Sequence, residues 1–358
     1  MKKTIISVAL LCFLLGATSS DFSGVDALID EKQYLDAFDI LEKMDPNEED
    51  VAITIKKTML CLDYFAKSIG HGVFALENLK HNETLSQIRT STGKFEIVPF
   101  SPEKALKNLI EKYPLRYELH DTLGIYYYEM YIHYSQNHTE EQNNEHISLA
   151  KKYVRMAHGN KYGTARSYYA IGFFNLIEGY YKESIKDFNR ALEKNDDYPE
   201  CHYNLAYAYM KNKDYKTAMR HAAVALEKYT DLSLKKDAAY FAHKMATNIK
   251  DRDRSLEYAL AYVKLDPRSH GTLKQVIENY YYTDYDSDLV RFFEIIEKEY
   301  HNDTHALGNI YLYRGIYYSD KNRKEKALSD FDRAEKSFKK VYPDGHEVFK
   351  FINESRAR

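Results

Sequence analysis

Small and apolar side chains recur along this chain at the spacing of helical turns, in pairs of predicted helices. One pair carries Gly172 on its first helix and Ala191 on its second. The next pair carries Ala206 and Ala225 at the corresponding places, each 34 residues further on. Because residues three and four apart share one face of a helix, each pair is expected to bury one side against its neighbours. The pattern therefore predicts a repeated unit of two antiparallel helices.

The spacing around these small residues is more specific than helical periodicity alone. The first helix of one copy reads Tyr168-x2-Ile171-Gly172, and its second helix reads Ser184-x3-Phe188-x2-Ala191. This pattern resembles the tetratricopeptide repeat, whose units of two antiparallel helices stack on one another. The resemblance implies an all-α fold, a right-handed superhelix of about six or seven helix pairs.

Small side chains at fixed repeat positions are expected to let paired helices approach closely. These structural positions are Gly124, Gly172, Ala191, Ala206, Ala225, Gly315, Ala327 and Ala334. The copy that contains Gly315 departs from the family at Arg314, where the family has leucine. How that copy packs is left open by the sequence.

The repeat array is interrupted, and the interruptions suggest an organisation along the chain. Residues 20–83 are predicted to form a degenerate N-terminal helical repeat, and residues 101–341 the main array. Residues 84–100, with apolar residues around a Ser-Thr-Gly-Lys turn, are compatible with an inserted β-hairpin or an irregular loop. Residues 135–145 are a polar insert, either a loop or an extension of the flanking helices. Residues 342–358 are expected to form a capping helix.

The N-terminus has the features of a bacterial-type export signal. Lys2 and Lys3 precede an apolar run over residues 5 to 15, and small residues allow cleavage after Ser19. The run is too short to span a bilayer. Lipidation at Cys12 is disfavoured, since a leucine precedes it where a small residue is needed. The sequence predicts a signal peptide over residues 1–19 and a periplasmic or secreted protein without a membrane span.

Composition narrows the choice of partner. The formal net charge of −3 gives no reason to expect nucleic acid binding. The chain has 34 tyrosines and no tryptophan, and tyrosine suits pockets where a ring packs while its hydroxyl reaches water.

Cys61 and Cys201 lie about four repeats apart, so two separate buried thiols are favoured over a disulfide.

The sequence contains no motif that indicates a reaction centre or a cofactor. Zinc-protease, nucleophile-elbow, phosphate-loop and dinucleotide patterns are all absent. His301 and His305 have a spacing that two zinc ligands on a helix can have, but they lie at a predicted turn where polar residues are common. We therefore predict no catalytic residue, no metal and no cofactor.

The resemblance also indicates which side chains a partner would meet. In the family, positions 2, 5, 9, 12 and 13 of each unit, here called the inward positions, point into the concave groove. Those singled out here are Tyr128, Arg166, Tyr169, Phe173, Leu176, Tyr203, Tyr207 and Met210. Aromatic residues at helical spacing are alternatively core residues. Positions 5 and 9 lack the lysine and asparagine with which one family branch binds a terminal carboxylate.

These observations favour a non-catalytic exported scaffold or adaptor that binds a protein or peptide partner through its concave face. A surface protein that captures glycans is the main alternative, although sugar stacking usually favours tryptophan. A third alternative is an enzyme that uses residues of the two inserted segments.

Overall fold

The computed structural model describes residues 21–69, 72–281 and 285–357. The signal peptide predicted over residues 1–19 lies outside this part of the chain. The described residues form two compact units. The first comprises the residues up to Glu178 together with Asn189–Lys194, and the second comprises Gly179–Phe188 and the residues from Asn195 onward.

The first unit is built mainly of helices. They are α1 (Ser23–Asp30), α2 (Tyr34–Met44), α3 (Val51–Tyr64), α4 (Leu85–Thr90), α5 (Pro102–Lys112), α6 (Tyr117–Tyr134), α7 (Glu140–Gly159) and α8 (Ala165–Ile177). Several starts are set by capping side chains: Asp50 accepts bonds from two backbone amides of α3, and Thr164 begins α8 with a capping box. Helix α9 (Tyr181–Lys194) is divided between the two units.

A small antiparallel sheet interrupts the helices of the first unit. Its strands, in spatial order, are β1 (Lys67–Ile69), β2 (Val73–Leu76) and β3 (Glu96–Ile97). The antiparallel pair of β1 and β2 thus lies upstream of the segment 84–100, where the sequence suggested a hairpin. That segment supplies α4 and the third strand. The reason is local, because Thr84 and Gln87 form a reciprocal capping box that starts a helix there.

The polar insert at residues 135–145 is mostly helical. Helix α6 ends at Tyr134, and α7 begins at Glu140 behind a capping box formed by Thr139 and Gln142. Of the two alternatives that the sequence left open, extension of a flanking helix therefore describes most of the insert, with one short turn between the helices.

The second unit continues with antiparallel helices. They are α10 (Pro199–Lys211), α11 (Tyr215–Lys228), α12 (Leu232–Asn248), α13 (Arg252–Leu265), α14 (His270–Tyr281), α15 (Asp286–Glu299), α16 (Thr304–Asp320), α17 (Lys324–Phe338) and α18 (Glu347–Arg356). Helix α14 packs against its partner α15 and also against α12, α13 and α16. Helix α18 packs through Ile352 onto the apolar cluster that includes Leu312 and Phe331.

Close helix packing explains the small residues of the repeat. All eight predicted small positions are buried. A Cβ atom added at Gly124 would lie 2.5 Å from Cγ2 of Val154 on α7, and one added at Gly315 would lie 2.8 Å from the ring of Phe331. A larger side chain at either glycine would push the paired helices apart.

Arg314, the departure from the family's leucine, is buried in an ion-pair network. Its guanidinium donates to both carboxylate oxygens of Asp330 on α17, at 2.7 and 2.8 Å, and to Glu297 on α15 at 2.5 Å. These contacts raise the pKa of Arg314 against the effect of burial, and they lower the pKa of Glu297. A paired charge thus replaces an apolar contact at this repeat position.

Candidate functional site

In the first unit, most of the inward side chains singled out from the sequence are buried. Tyr128, Tyr169 and Leu176 keep only 6%, 8% and 7% of their surface exposed. The ring of Tyr128 meets those of Tyr169 and Phe173 edge-on, at centroid distances of 6.1 and 5.8 Å. Side chains of the chain itself therefore fill this stretch, and it offers a partner little surface.

Arg166, the remaining inward residue of the first unit, ties three helices together. Its guanidinium lies 2.5 Å from Asp63 on α3 and 2.8 Å from Glu129 on α6. Burial raises the pKa of Asp63 and the charge of Arg166 opposes that rise. The pKa of Glu129 is lowered, since hydrogen bonds from His133 and Arg166 outweigh burial. The arrangement satisfies the charge of Arg166 internally.

In the second unit the corresponding side chains on α10 remain accessible. Tyr207 is 38% exposed and its ring lies 5.2 Å from the ammonium of Lys211. Tyr203 and Met210 are half-buried, and Tyr203 packs against the rings of Tyr229 and Phe241. These inward positions present aromatic surface to solvent.

The same repeat register, continued to α14 and α16, leads to a cavity that the sequence analysis did not single out. On α16 the inward positions are Asn309, Leu312, Ile316, Ser319 and Asp320, and all five line a cavity of about 990 Å³. On α14 they include Lys274, Glu278 and Tyr281, which line the same cavity. Helix α18 provides a further wall. We call this cavity the α14–α16 groove.

The floor of the α14–α16 groove is apolar and aromatic, and polar groups at one end are paired. Leu312 and Tyr313 are buried, whereas Phe351 on α18 is 42% exposed. Near the beginning of α14, His270 Nδ1 lies 2.9 Å from the Tyr313 hydroxyl. Near the beginning of α16, His305 Nε2 lies 3.0 Å from the hydroxyl of Tyr342. These pairs hold the ring orientations on which the shape of the groove depends.

The groove could have been found from the register alone. Leu273, Val276 and Tyr280 mark positions 4, 7 and 11 of the copy that contains α14, so its inward positions follow by counting. What the sequence did not indicate was that Lys274, Glu278 and Tyr281 of α14 are exposed, whereas Tyr169 and Leu176 of α8 are buried. Exposure depends on neighbouring helices, which a single repeat does not specify.

The two histidines with the spacing of zinc ligands do not converge. His301 Nδ1 bonds to the carbonyl of Lys298 at 3.0 Å, whereas His305 bonds to Tyr342. Across the described ranges, no three His, Cys, Asp or Glu side chains are grouped to hold a metal ion. Cys61 and Cys201 are buried free thiols, and burial raises the pKa of both.

None of the helices that the structure describes between residues 21 and 357 is both long enough and apolar enough to cross a bilayer.

Comparison with known proteins places the repeat in a family. A family model described as TPR repeat matches residues 176–213. A comparison with curated protein sequences finds no match.

Solved structures with a similar fold include two that are described as TPR proteins. TTC0263, a thermophilic TPR protein of Thermus thermophilus, is 18% identical, with 62% of this chain and 96% of that chain covered and a TM-score of 0.41. PilF of Pseudomonas aeruginosa is 14% identical, with coverages of 66% and 99% and a TM-score of 0.39. YrrB, a TPR protein with an unusual peptide-binding site, is 18% identical, with coverages of 57% and 97% and a TM-score of 0.38.

At these identities and TM-scores the similarity concerns the repeat fold and does not extend to ligands. The 34-residue helix-pair spacing, the buried small residues and the family match agree with one another. The chain therefore contains a tetratricopeptide repeat, and the helix pairs of its described residues have the fold of such repeats.

Proposed function

We propose that this protein is an exported, non-catalytic adaptor that binds a segment of another protein through the inward positions of its second unit. The observation that carries the proposal is the α14–α16 groove. Inward residues from two successive repeats line it, whereas most of those singled out in the first unit are buried. Export rests on the sequence of residues 1–19.

A peptide segment suits this surface for physical reasons. Tyr207 and Tyr281, at inward positions, are 38% and 47% exposed. Tyrosine has few rotatable bonds, so it buries much area on binding at a low entropic cost. Its hydroxyl can bond to a peptide backbone while the ring covers apolar side chains. Helical repeats also hold such side chains on a rigid frame, which limits the cost of ordering the site.

The proposal can be tested by affinity capture from the envelope fraction of the native organism. The chain from Ser20 onward would be used as wild type, as Tyr207→Ala with Tyr281→Ala, and as Tyr180→Ala. Tyr180 is 58% exposed but lies in the turn after α8, outside the inward positions, so it is the matched control.

We expect one stoichiometric protein to be captured by wild type and by the control, and to be lost from the double variant. Far-ultraviolet circular dichroism and thermal melting should show all three chains equally folded. Equal capture by all three would refute binding through the inward positions. Retention of an oligosaccharide in place of a protein would favour the glycan alternative.

A further inference from the structure

We propose that the α14–α16 groove takes an extended segment of the partner protein that combines central apolar side chains with lysine or arginine. This inference rests on the proposed function and specifies the chemistry of the partner. Its support comes from the length, the floor and the charges of the groove.

The length of the groove suits an extended chain. From Asn309 to Asp320 the inward positions of α16 run for about 16 Å, at 1.5 Å per residue. An extended peptide covers that length with about five residues, and its alternate side chains can face the floor of the groove.

The floor requires apolar side chains at the centre of the segment. The half-buried side chains of Ile316 on α16 and Ile277 on α14 line the groove above the buried Leu312, and the exposed ring of Phe351 adds a wall from α18. Covering such a surface removes apolar area from water and stabilises the complex by about 25 cal/mol per Å² before the costs of ordering.

The charges of the groove favour a basic segment. Its two strongly basic side chains are each paired with an acid: Arg268 with Asp303 at 2.9 Å, and Lys274 with Glu278 at 3.7 Å. Asp320 on α16 and Glu347 on α18 add two further negative charges to the lining, and both side chains are exposed. Positive groups at the ends of a bound segment would therefore be complementary to the groove.

The test uses two fluorescently labelled five-residue peptides, with the same Leu-Tyr-Leu centre, flanked by lysine in one and by glutamate in the other. Binding to the chain from Ser20 onward would be followed by fluorescence anisotropy at low and high salt. The variant Asp320→Asn with Glu347→Gln removes the two charges. Glu299→Gln with Glu325→Gln removes two exposed acids outside the groove and is the matched control.

We expect the lysine-flanked peptide to bind more tightly, and its advantage to shrink as salt rises. The groove variant should lose about 2- to 30-fold of that affinity, since exposed ion contacts contribute about 0.2–1 kcal/mol each. The control variant should change it less than about twofold.

Other outcomes separate this inference from the proposed function. Equal binding of both peptides, lost in Phe351→Ala, would overturn the charge requirement and leave the groove as a peptide site. Tighter binding of a longer helical peptide of the same composition would overturn the extended occupant. If neither peptide binds while partner capture still depends on Tyr207 and Tyr281, the groove is not the site for such a segment, although the proposed function stands.

Discussion

Replacing Arg314 by leucine, the residue that the family has at this position, should destabilise the last repeat. Arg314 is 7% exposed and Asp330 is 4% exposed. The substitution leaves the Asp330 carboxylate buried after it has lost both hydrogen bonds from the guanidinium. Removing one member of a buried ion pair typically costs about 3–5 kcal/mol. We expect a loss of that size in the free energy of unfolding of α16 and α17.

A double-mutant cycle tests the physical reason. Arg314→Leu with Asp330→Leu removes both charges, and buried pairs replaced by apolar residues of similar volume are often as stable as the original. The double variant should therefore recover most of the loss, with a coupling energy of about 2 kcal/mol or more. Arg333→Leu is the matched control, because Arg333 also pairs with Glu297, at 3.4 Å, but its side chain is 54% exposed. Its loss should stay below about 1 kcal/mol.

Amide hydrogen exchange is the suitable assay, because repeat units are stabilised mainly by their neighbours and unfolding of a long array need not be two-state. Exchange in α16 and α17 should accelerate by roughly two to four orders of magnitude in Arg314→Leu. Helices of the first unit should keep wild-type protection. If Arg314→Leu accelerates exchange no more than Arg333→Leu does, the buried pair does not stabilise this repeat.

Three further predictions concern pH, packing and thiols. Burial lowers the pKa of His243 from 6.5 to about 4, so the unfolded chain binds more protons between these values and stability should fall as pH drops from 6.5 towards 4. His243 should lower the free energy of unfolding by about 1.4 kcal/mol for each pH unit in this range. The decrease should be smaller in His243→Asn when the urea midpoints of the two chains are compared across the same pH range. Gly124→Ala should lower the melting temperature by overpacking, whereas Gly159→Ala, which meets no atom within 4 Å, should not. The buried thiols of Cys61 and Cys201 should resist iodoacetamide in native buffer and react in urea; fast native labelling would contradict their burial.

The local spacing of small residues was sufficient to predict the helix pairs. Gly172, Ala191, Ala206 and Ala225 lie at positions where only a small side chain lets two helices meet, and such a requirement is visible in the residue itself. The sequence pattern predicted the position of the β-structure less well. The apolar residues between 84 and 100 suggested a hairpin there, but Thr84 and Gln87 form a capping box that starts helix α4. Strand pairing depends on contacts distant in sequence, here between β1, β2 and β3.

The repeat and its register follow from the amino-acid pattern, and the residues at inward positions follow from that register. Whether each of those positions is accessible depends on the tertiary structure. Tyr169 and Tyr207 both stand at inward positions of their repeats, yet one is buried and the other is exposed. The difference arises because the exposure of a side chain depends on the helices packed around it, and equivalent repeats need not have equivalent neighbours. Likewise, α18 lines the groove because it packs against the last repeat, through Ile352 and through ion pairs of Arg356.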